Sequence, residues 1–219
     1  MTRPAAFFTR AAACPQTRAR AGVLPTPHGA VPTPAFMPVA TQGTVKALDP
    51  ADLRAIGARI LLGNTYHLHL RPGVEVIERL GGLHRFMAWD GPVLTDSGGF
   101  QVFSMGVLRK VSEEGVVFRS HIDGTEHLLT PEKAIELQER LGADVVMPLD
   151  VCPAYGDGSD AVREATERTL RWAERSLKAR AAGRTQGQAL FGIVQGGTSA
   201  ELRRDAAERT VALGFAGYT

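Results

Sequence analysis

The stretch Leu94-Thr95-Asp96-Ser97-Gly98-Gly99-Phe100-Gln101 decides how the chain is read. The apolar run Pro92-Val93-Leu94 leads into a carboxylate, and two glycines follow at once. A short apolar run closed by Gly and polar residues reads as a buried strand entering a loop. Asp96 then stands at the strand's C-terminal end, where α/β folds gather their chemistry. Gly98 and Gly99 lack a Cβ, so the backbone can bend there and press against a flat ligand. Phe100 offers such a ligand a ring face. Taken alone, Asp-Ser-Gly-Gly reads first as a strand-end carboxylate capping the next turn. The rest of the chain shifts that balance.

Upstream, prolines at 25, 27, 32, 34 and 38 forbid a helix. The segment 31–40 reads as extended chain leading to a first strand, 36–39. Asp49-Pro50-Ala51-Asp52 opens a helix that runs to Gly57. Ile60-Leu61-Leu62 is a second strand, 73–80 a helix and Val93-Leu94-Thr95 the third strand. Residues 107–129 break this rhythm. There Val116 to Ile122 alternates in polarity and Asp123-Gly124 supplies a turn, which predicts an inserted β-hairpin. Thr130 then caps a helix that closes at Gly142, and Asp144-Val145-Val146-Met147 is the fourth strand. A long amphipathic helix over 160–182 carries five arginines, read as a solvated face. Strand 189–193, helix 198–213 and the start of a sixth strand at 215–219 complete the pattern.

Alternating strands and helices predict parallel βαβ units. No Gly-rich phosphate loop follows the first strand, as a dinucleotide-binding sheet would require. Polar residues recur instead at many strand ends: Asn64, Asp96, Asp150 and Gln195. That distribution fits an α/β fold of the TIM type, a (β/α) barrel whose pocket is assembled from all the strand ends. Such a barrel takes eight strands and roughly 250 residues. The 219-residue chain is therefore expected to be a barrel truncated after about five βα units. Residues 19–219 form its incomplete catalytic domain.

A net charge of +2 is too small to argue for nucleic acid by itself. The basic residues are 21 Arg and 4 Lys, a bias toward bidentate contacts with phosphate and carboxylate. Cys14 and Cys152 are too few for a disulfide framework or a Cys-rich zinc site, so a reducing cytoplasm is expected. Arg3, Arg10, Arg18 and Arg20 crowd a start that has no acidic residue before Asp49. Residues 1–18 read as a disordered or loosely attached leader. No run approaches the ~20 apolar residues of a membrane helix.

Asp96, Asp150 and Gln195 make chemical sense together. A carboxylate can accept two parallel N–H bonds, and guanine offers such a pair on its Watson–Crick edge. A Gln amide can donate to the neighbouring carbonyl oxygen, while Phe100 holds the flat ring. Asp96 is left to move a proton at the base nitrogen as a glycosidic bond breaks or forms.

Six blocks carry a family likeness: TPAFMPVATQGTVKAL (33–48), LLGNTYHLHLRPG (61–73), LTDSGGFQVFS (94–104), FRSHIDG (118–124), GADVVMPLDVCPAYG (142–156) and ALFGIVQGG (189–197). In this order they resemble the tRNA-guanine transglycosylases, or queuine tRNA-ribosyltransferases, of bacterial type. The resemblance implies a barrel enzyme that exchanges guanine at the wobble position of tRNA for a queuine-precursor deazaguanine. It makes Asp96 the proton acceptor and places Asp96, Ser97, Gly98, Gly99, Phe100, Asp150 and Gln195 at the base. Cys152 matches a pocket cysteine, with Asn64 and His67 as support. The same likeness implies a homodimer, and a zinc held by three Cys and one His that this sequence does not contain. It also implies a nucleophilic Asp lying further along, so the chain alone is expected to be inactive.

Two rivals stand beside this reading. His67-x-His69 on an extended segment would suit a metal-dependent hydrolase barrel, which needs further His ligands from later strands. A non-catalytic barrel subunit that binds tRNA or a partner is the alternative outside enzymes.

Overall fold

The computed structural model describes residues 8–105, 109–183 and 187–219. Three strands open the chain: β1 (Thr9–Ala13), β2 (Arg20–Thr26) and β3 (Gly29–Thr33), paired antiparallel in that order. The leader expected over 1–18 is thus corrected for 9–13, which are tied into a sheet; residues 1–7 lie outside the described residues. Then follow β4 (Val39–Ala40), α1 (Pro50–Ala55), β5 (Leu61–Gly63), α2 (Thr65–Leu70), α3 (Val74–Arg79), α4 (Leu83–Met87), β6 (Val93–Thr95) and α5 (Gly99–Met105). The expected first strand at 36–39 is displaced toward Val39–Ala40, and Phe36 is 82% exposed.

The insertion is larger than a hairpin. β7 (Arg109–Val111), β8 (Val116–Arg119) and β9 (Glu126–Leu129) form a three-stranded antiparallel sheet. Residues 107 and 108 of the expected insertion lie outside the described residues. The chain continues through α6 (Pro131–Leu141), β10 (Val145–Val146), α7 (Ser159–Ala182), β11 (Ala189–Gly192), α8 (Ala200–Ala212) and β12 (Gly217–Tyr218).

Local chemistry sets these boundaries. Asp49 caps α1 through a capping box with Asp52, and Thr130 Oγ1 accepts the Lys133 N–H at 3.1 Å to start α6. Gly142 ends α6 at φ +78°, the left-handed position that glycine tolerates best.

β4, β5, β6, β10, β11 and β12 lie side by side in one parallel sheet, and the order never reverses. Side chains alternate across it, as the period of two demands. Leu61, Val93, Val146 and Leu190 pack toward the helices. Leu62, Leu94, Val145 and Phe191 point to the other face, where Leu24 and Val31 of the N-terminal sheet meet them. Gln138, fully buried on α6, ties helix to sheet: its Oε1 accepts from Thr95 Oγ1 and Met147 N, and its Nε2 donates to Met147 O. Those bonds satisfy the backbone where β10 stops.

Four of the five arginines of α7 are engaged, Arg168 with Glu164 among them. Arg171 pairs with Glu113, Arg175 with Glu132 and Arg180 with Glu139. Arg175 also donates to the backbone oxygens of Glu113 and Glu114, which fastens the inserted sheet to the helix. No helix among the described residues is long and apolar enough to cross a membrane.

Candidate functional site

The parallel sheet delivers polar residues to its C-terminal end. β5 ends at Asn64, β6 at Asp96, β10 leads through Leu149 to Asp150, and β11 leads through Val194 to Gln195. A cavity of about 300 Å3 opens there. Asp96, Ser97, Phe100, Gln101, Asp150 and Cys152 line it above a floor that includes Leu62, Leu94, Met147 and Ile193.

Asp96 is held on several sides. Its Oδ2 accepts a short bond from Asn64 Nδ2, while its Oδ1 accepts from Thr65 N at 2.9 Å and Gly98 N at 3.2 Å. Asn64 precedes α2, where its side chain makes no helix cap, so that amide is committed to Asp96. Burial pushes the Asp96 carboxyl above its ordinary range, against the hydrogen bonds from Asn64, Thr65 and Gly98.

Asp150 is buried and accepts Gln195 Nε2 at 2.7 Å. Burial raises its pKa to about 6; the Gln195 bond opposes that rise and the nearby Asp96 charge adds to it. The following residue is anchored from outside, Val151 N donating to Thr169 Oγ1 of α7 at 2.9 Å. Gly99 lets the two loops meet, because a Cβ there would stand 3.0 Å from both O and Oδ1 of Asp150. Gly98 sits at φ +82° against the Tyr66 backbone, so a side chain there would be strained. Gly196, at φ +126°, serves Gln195 in the same way: a Cβ would lie 2.6 Å from Arg203 N at the start of α8.

Phe100 is 61% exposed, an apolar ring at the rim that offers a stacking surface. Cys152 shares the cavity wall, and burial with the nearby Asp150 charge pushes its thiol up, so it stays protonated. The sequence-derived set therefore meets in one place: Asp96, Ser97, Gly98, Gly99, Phe100, Asp150, Gln195, Asn64 and Cys152. His67 stands apart. It packs edge-on against His121 in the turn between β8 and β9, ring centroids 5.8 Å apart, and does not line the cavity.

The arrangement offers hydrogen-bond acceptors, a donor amide and a ring face to a flat polar ligand. A carboxyl with a raised pKa close to a second carboxyl is also suited to moving a proton. Gln101 escaped the sequence reading although it was in the quoted stretch; nothing in spacing distinguishes a pocket-facing Gln from a solvated one.

The His67–His69 metal reading does not survive the geometry. His67 and His69 lie on helix α2, not on an extended segment, and residues two apart on a helix face different ways. His69 Nε2 instead meets His127 Nδ1 at 3.3 Å. Cys14 is exposed next to the N-terminal sheet whereas Cys152 is in the pocket, so these two cannot supply a three-Cys zinc site. Among the described residues one group of three candidate ligands gathers, His28, His84 and Asp144. Its two imidazoles are stacked at 3.5 Å, and each bonds a different oxygen of Asp144. An ion shared between stacked rings would sit far out of both ring planes, away from the nitrogen lone pairs. The group is a hydrogen-bonded hub.

Comparison with known proteins agrees with the motifs. The family model described as Queuine tRNA-ribosyltransferase matches residues 14–219. A queuine tRNA-ribosyltransferase of Caldanaerobacter subterraneus subsp. tengcongensis is 58% identical over 203 residues, covering 93% of this chain and 54% of that protein. One from Pelotomaculum thermopropionicum is 60% identical over 202 residues, covering 92% and 54%. One from Solidesulfovibrio magneticus is 57% identical over 200 residues, covering 91% and 53%. The chain spans about half the length of the curated relatives it matches.

Proposed function

Because the chain belongs to the queuine tRNA-ribosyltransferase family, we propose that its strand-end cavity binds guanine and a queuine-precursor deazaguanine during base exchange at the wobble position of tRNA. The observation that carries this reading is the bond from Gln195 Nε2 to Asp150 Oδ2, 2.7 Å long. It puts an acceptor carboxylate beside a donor amide, the complement of guanine's N–H edge and its carbonyl.

In this reading Asp150 accepts N–H bonds from the pyrimidine edge and Gln195 donates to the carbonyl oxygen. Phe100 stacks on the ring. Asp96 exchanges a proton with the base nitrogen that leaves the sugar; its raised pKa brings that proton closer to hand at neutral pH. Gly98 and Gly99 let the loop lie flat along the base. The target guanine must leave its stack to enter, as is usual for chemistry on a nucleobase.

The six parallel strands in unreversed order support their assignment to a (β/α) barrel, with the cavity at its C-terminal face. Exchange that retains the sugar's configuration calls for a further carboxylate to attack the sugar carbon. Both carboxylates of the described pocket already have roles, so the 219-residue chain is expected to bind the base without exchanging it. The family's zinc, its homodimer and a cytoplasmic setting remain attributes proposed for the complete enzyme.

Calorimetric titration tests the reading. Guanine and the 7-aminomethyl deazaguanine bind and adenine does not; binding of all three alike, or of none, overturns it. Labelled guanine entering tRNA with this chain alone would refute the division between binding and exchange.

A further inference from the structure

Gln101 sits in the first turns of α5 and lines the cavity beside Asp96. Its amide lies close enough to help lower the Asp96 pKa, and a carboxylate oxygen can only accept, so the Gln101 amide nitrogen is the end turned toward it. The other end of that amide is unused: Oε1 is buried and has no hydrogen-bond partner. An orphaned buried acceptor of this kind destabilises the fold unless something pairs with it. Ser97 cannot serve, because its one O–H hydrogen is directed to the Asp150 carboxylate while its Oγ accepts from Gly99 N at 3.2 Å.

The donor inventory of the base narrows what Oε1 is for. Guanine presents N1–H, two hydrogens on the exocyclic 2-amine and an N–H on its five-membered ring. Asp150 takes N1–H and one amine hydrogen, and Asp96 takes the ring N–H. One amine hydrogen is left, on the side of the base between those two carboxylates. We propose that Gln101 is a specificity-determining residue of this pocket, its amide oxygen accepting the second hydrogen of the 2-amine and so selecting amino-bearing purines and deazapurines. The proposal rests on the base-pocket reading above and assigns a contact that reading leaves open.

The test is a cycle of two proteins and two bases, guanine and hypoxanthine, the latter identical except for the missing 2-amine. Gln101→Met keeps the length of the side chain and removes its oxygen. Guanine affinity falls roughly fivefold, while hypoxanthine affinity changes less than about twofold, the effect of one neutral hydrogen bond. Equal losses for the two bases would make Gln101 a positioning residue for Asp96 and overturn the proposal, as would unchanged guanine affinity. Gln101→Asn, which withdraws the oxygen but keeps the amide, must show the same base-selective loss, so a folding defect in one variant does not decide the matter. If the unmodified chain binds neither base, it is the pocket reading itself that fails.

Discussion

Asp144 and Asp150 stand six residues apart on either side of β10, at opposite ends of the same sheet, and they live in opposite electrostatic states. Asp144 is saturated with donors: His28 N and Nδ1 at 3.2 and 2.8 Å, His84 Nε2 at 3.1 Å and Val93 N at 2.8 Å. Burial works to raise its pKa, yet the bonds from His84, Val93 and His28 outweigh that and hold it at about 2. Asp150, also buried, has Gln195 and Ser97 against it and faces another carboxylate, and it stands at about 6. A buried carboxylate with all its partners is structure. One left short of donors beside a cavity has the electrostatics expected of the binding role proposed for it.

Four measurements can break or sharpen that contrast. Asp144→Ala should have the largest effect, because it strands the buried Val93 N–H and the His84 ring and detaches the turn carrying His28. Urea unfolding should show a loss of about 3 kcal/mol, with guanine affinity of the folded protein unchanged. A loss below about 1 kcal/mol would strip Asp144 of its structural role.

Asp150→Asn should do the reverse. Guanine binding weakens by about 2 kcal/mol, roughly thirtyfold, because one N–H acceptor becomes a donor facing the base. The melting temperature should not fall, since the variant no longer buries a charge.

The pH responses follow with opposite signs. Asp150 is raised from 3.8 to about 6, so its ionisation costs the fold stability as pH rises through that window. Ionised Asp150 is also the form that accepts N–H bonds, so guanine affinity climbs up to about pH 6 and levels off above it. Asp144 is lowered from 3.8 to about 2; its stabilisation, about 2 kcal/mol, is complete above pH 4 and disappears as pH falls toward 2. Acid unfolding monitored by circular dichroism, beside affinity measured from pH 5 to 8, separates the two. The smallest expected effect is in Thr130→Ala, which removes the α6 cap for about 1 kcal/mol of unfolding free energy and leaves binding alone.

The same two ends show what a sequence discloses. The C-terminal end was legible because its residues follow short apolar runs directly: Val93-Leu94-Thr95 before Asp96, or Ala189 to Val194 before Gln195. Caps and stops at Asp49, Thr130 and Gly142 were legible too, since a cap is a local interaction. The N-terminal end was not. His28 and Asp144 are 116 residues apart and His84 and Asp144 are 60, and no local pattern announces such pairings. The β1–β3 sheet was hidden for a related reason: β1 is wholly exposed and β2 and β3 each carry a proline, so the strands lack the apolar alternation that marks a half-buried strand. His67 and His69 misled because a six-residue helix is too short for its period to stand out.

Titration of guanine into the native chain and into Asp150→Asn, with both melting curves recorded at the same pH, tests the central claim most directly. The account predicts roughly thirtyfold weaker binding by a variant at least as stable as its parent. Equal affinity in the two proteins, or a loss that merely follows a lower melting temperature, would contradict it.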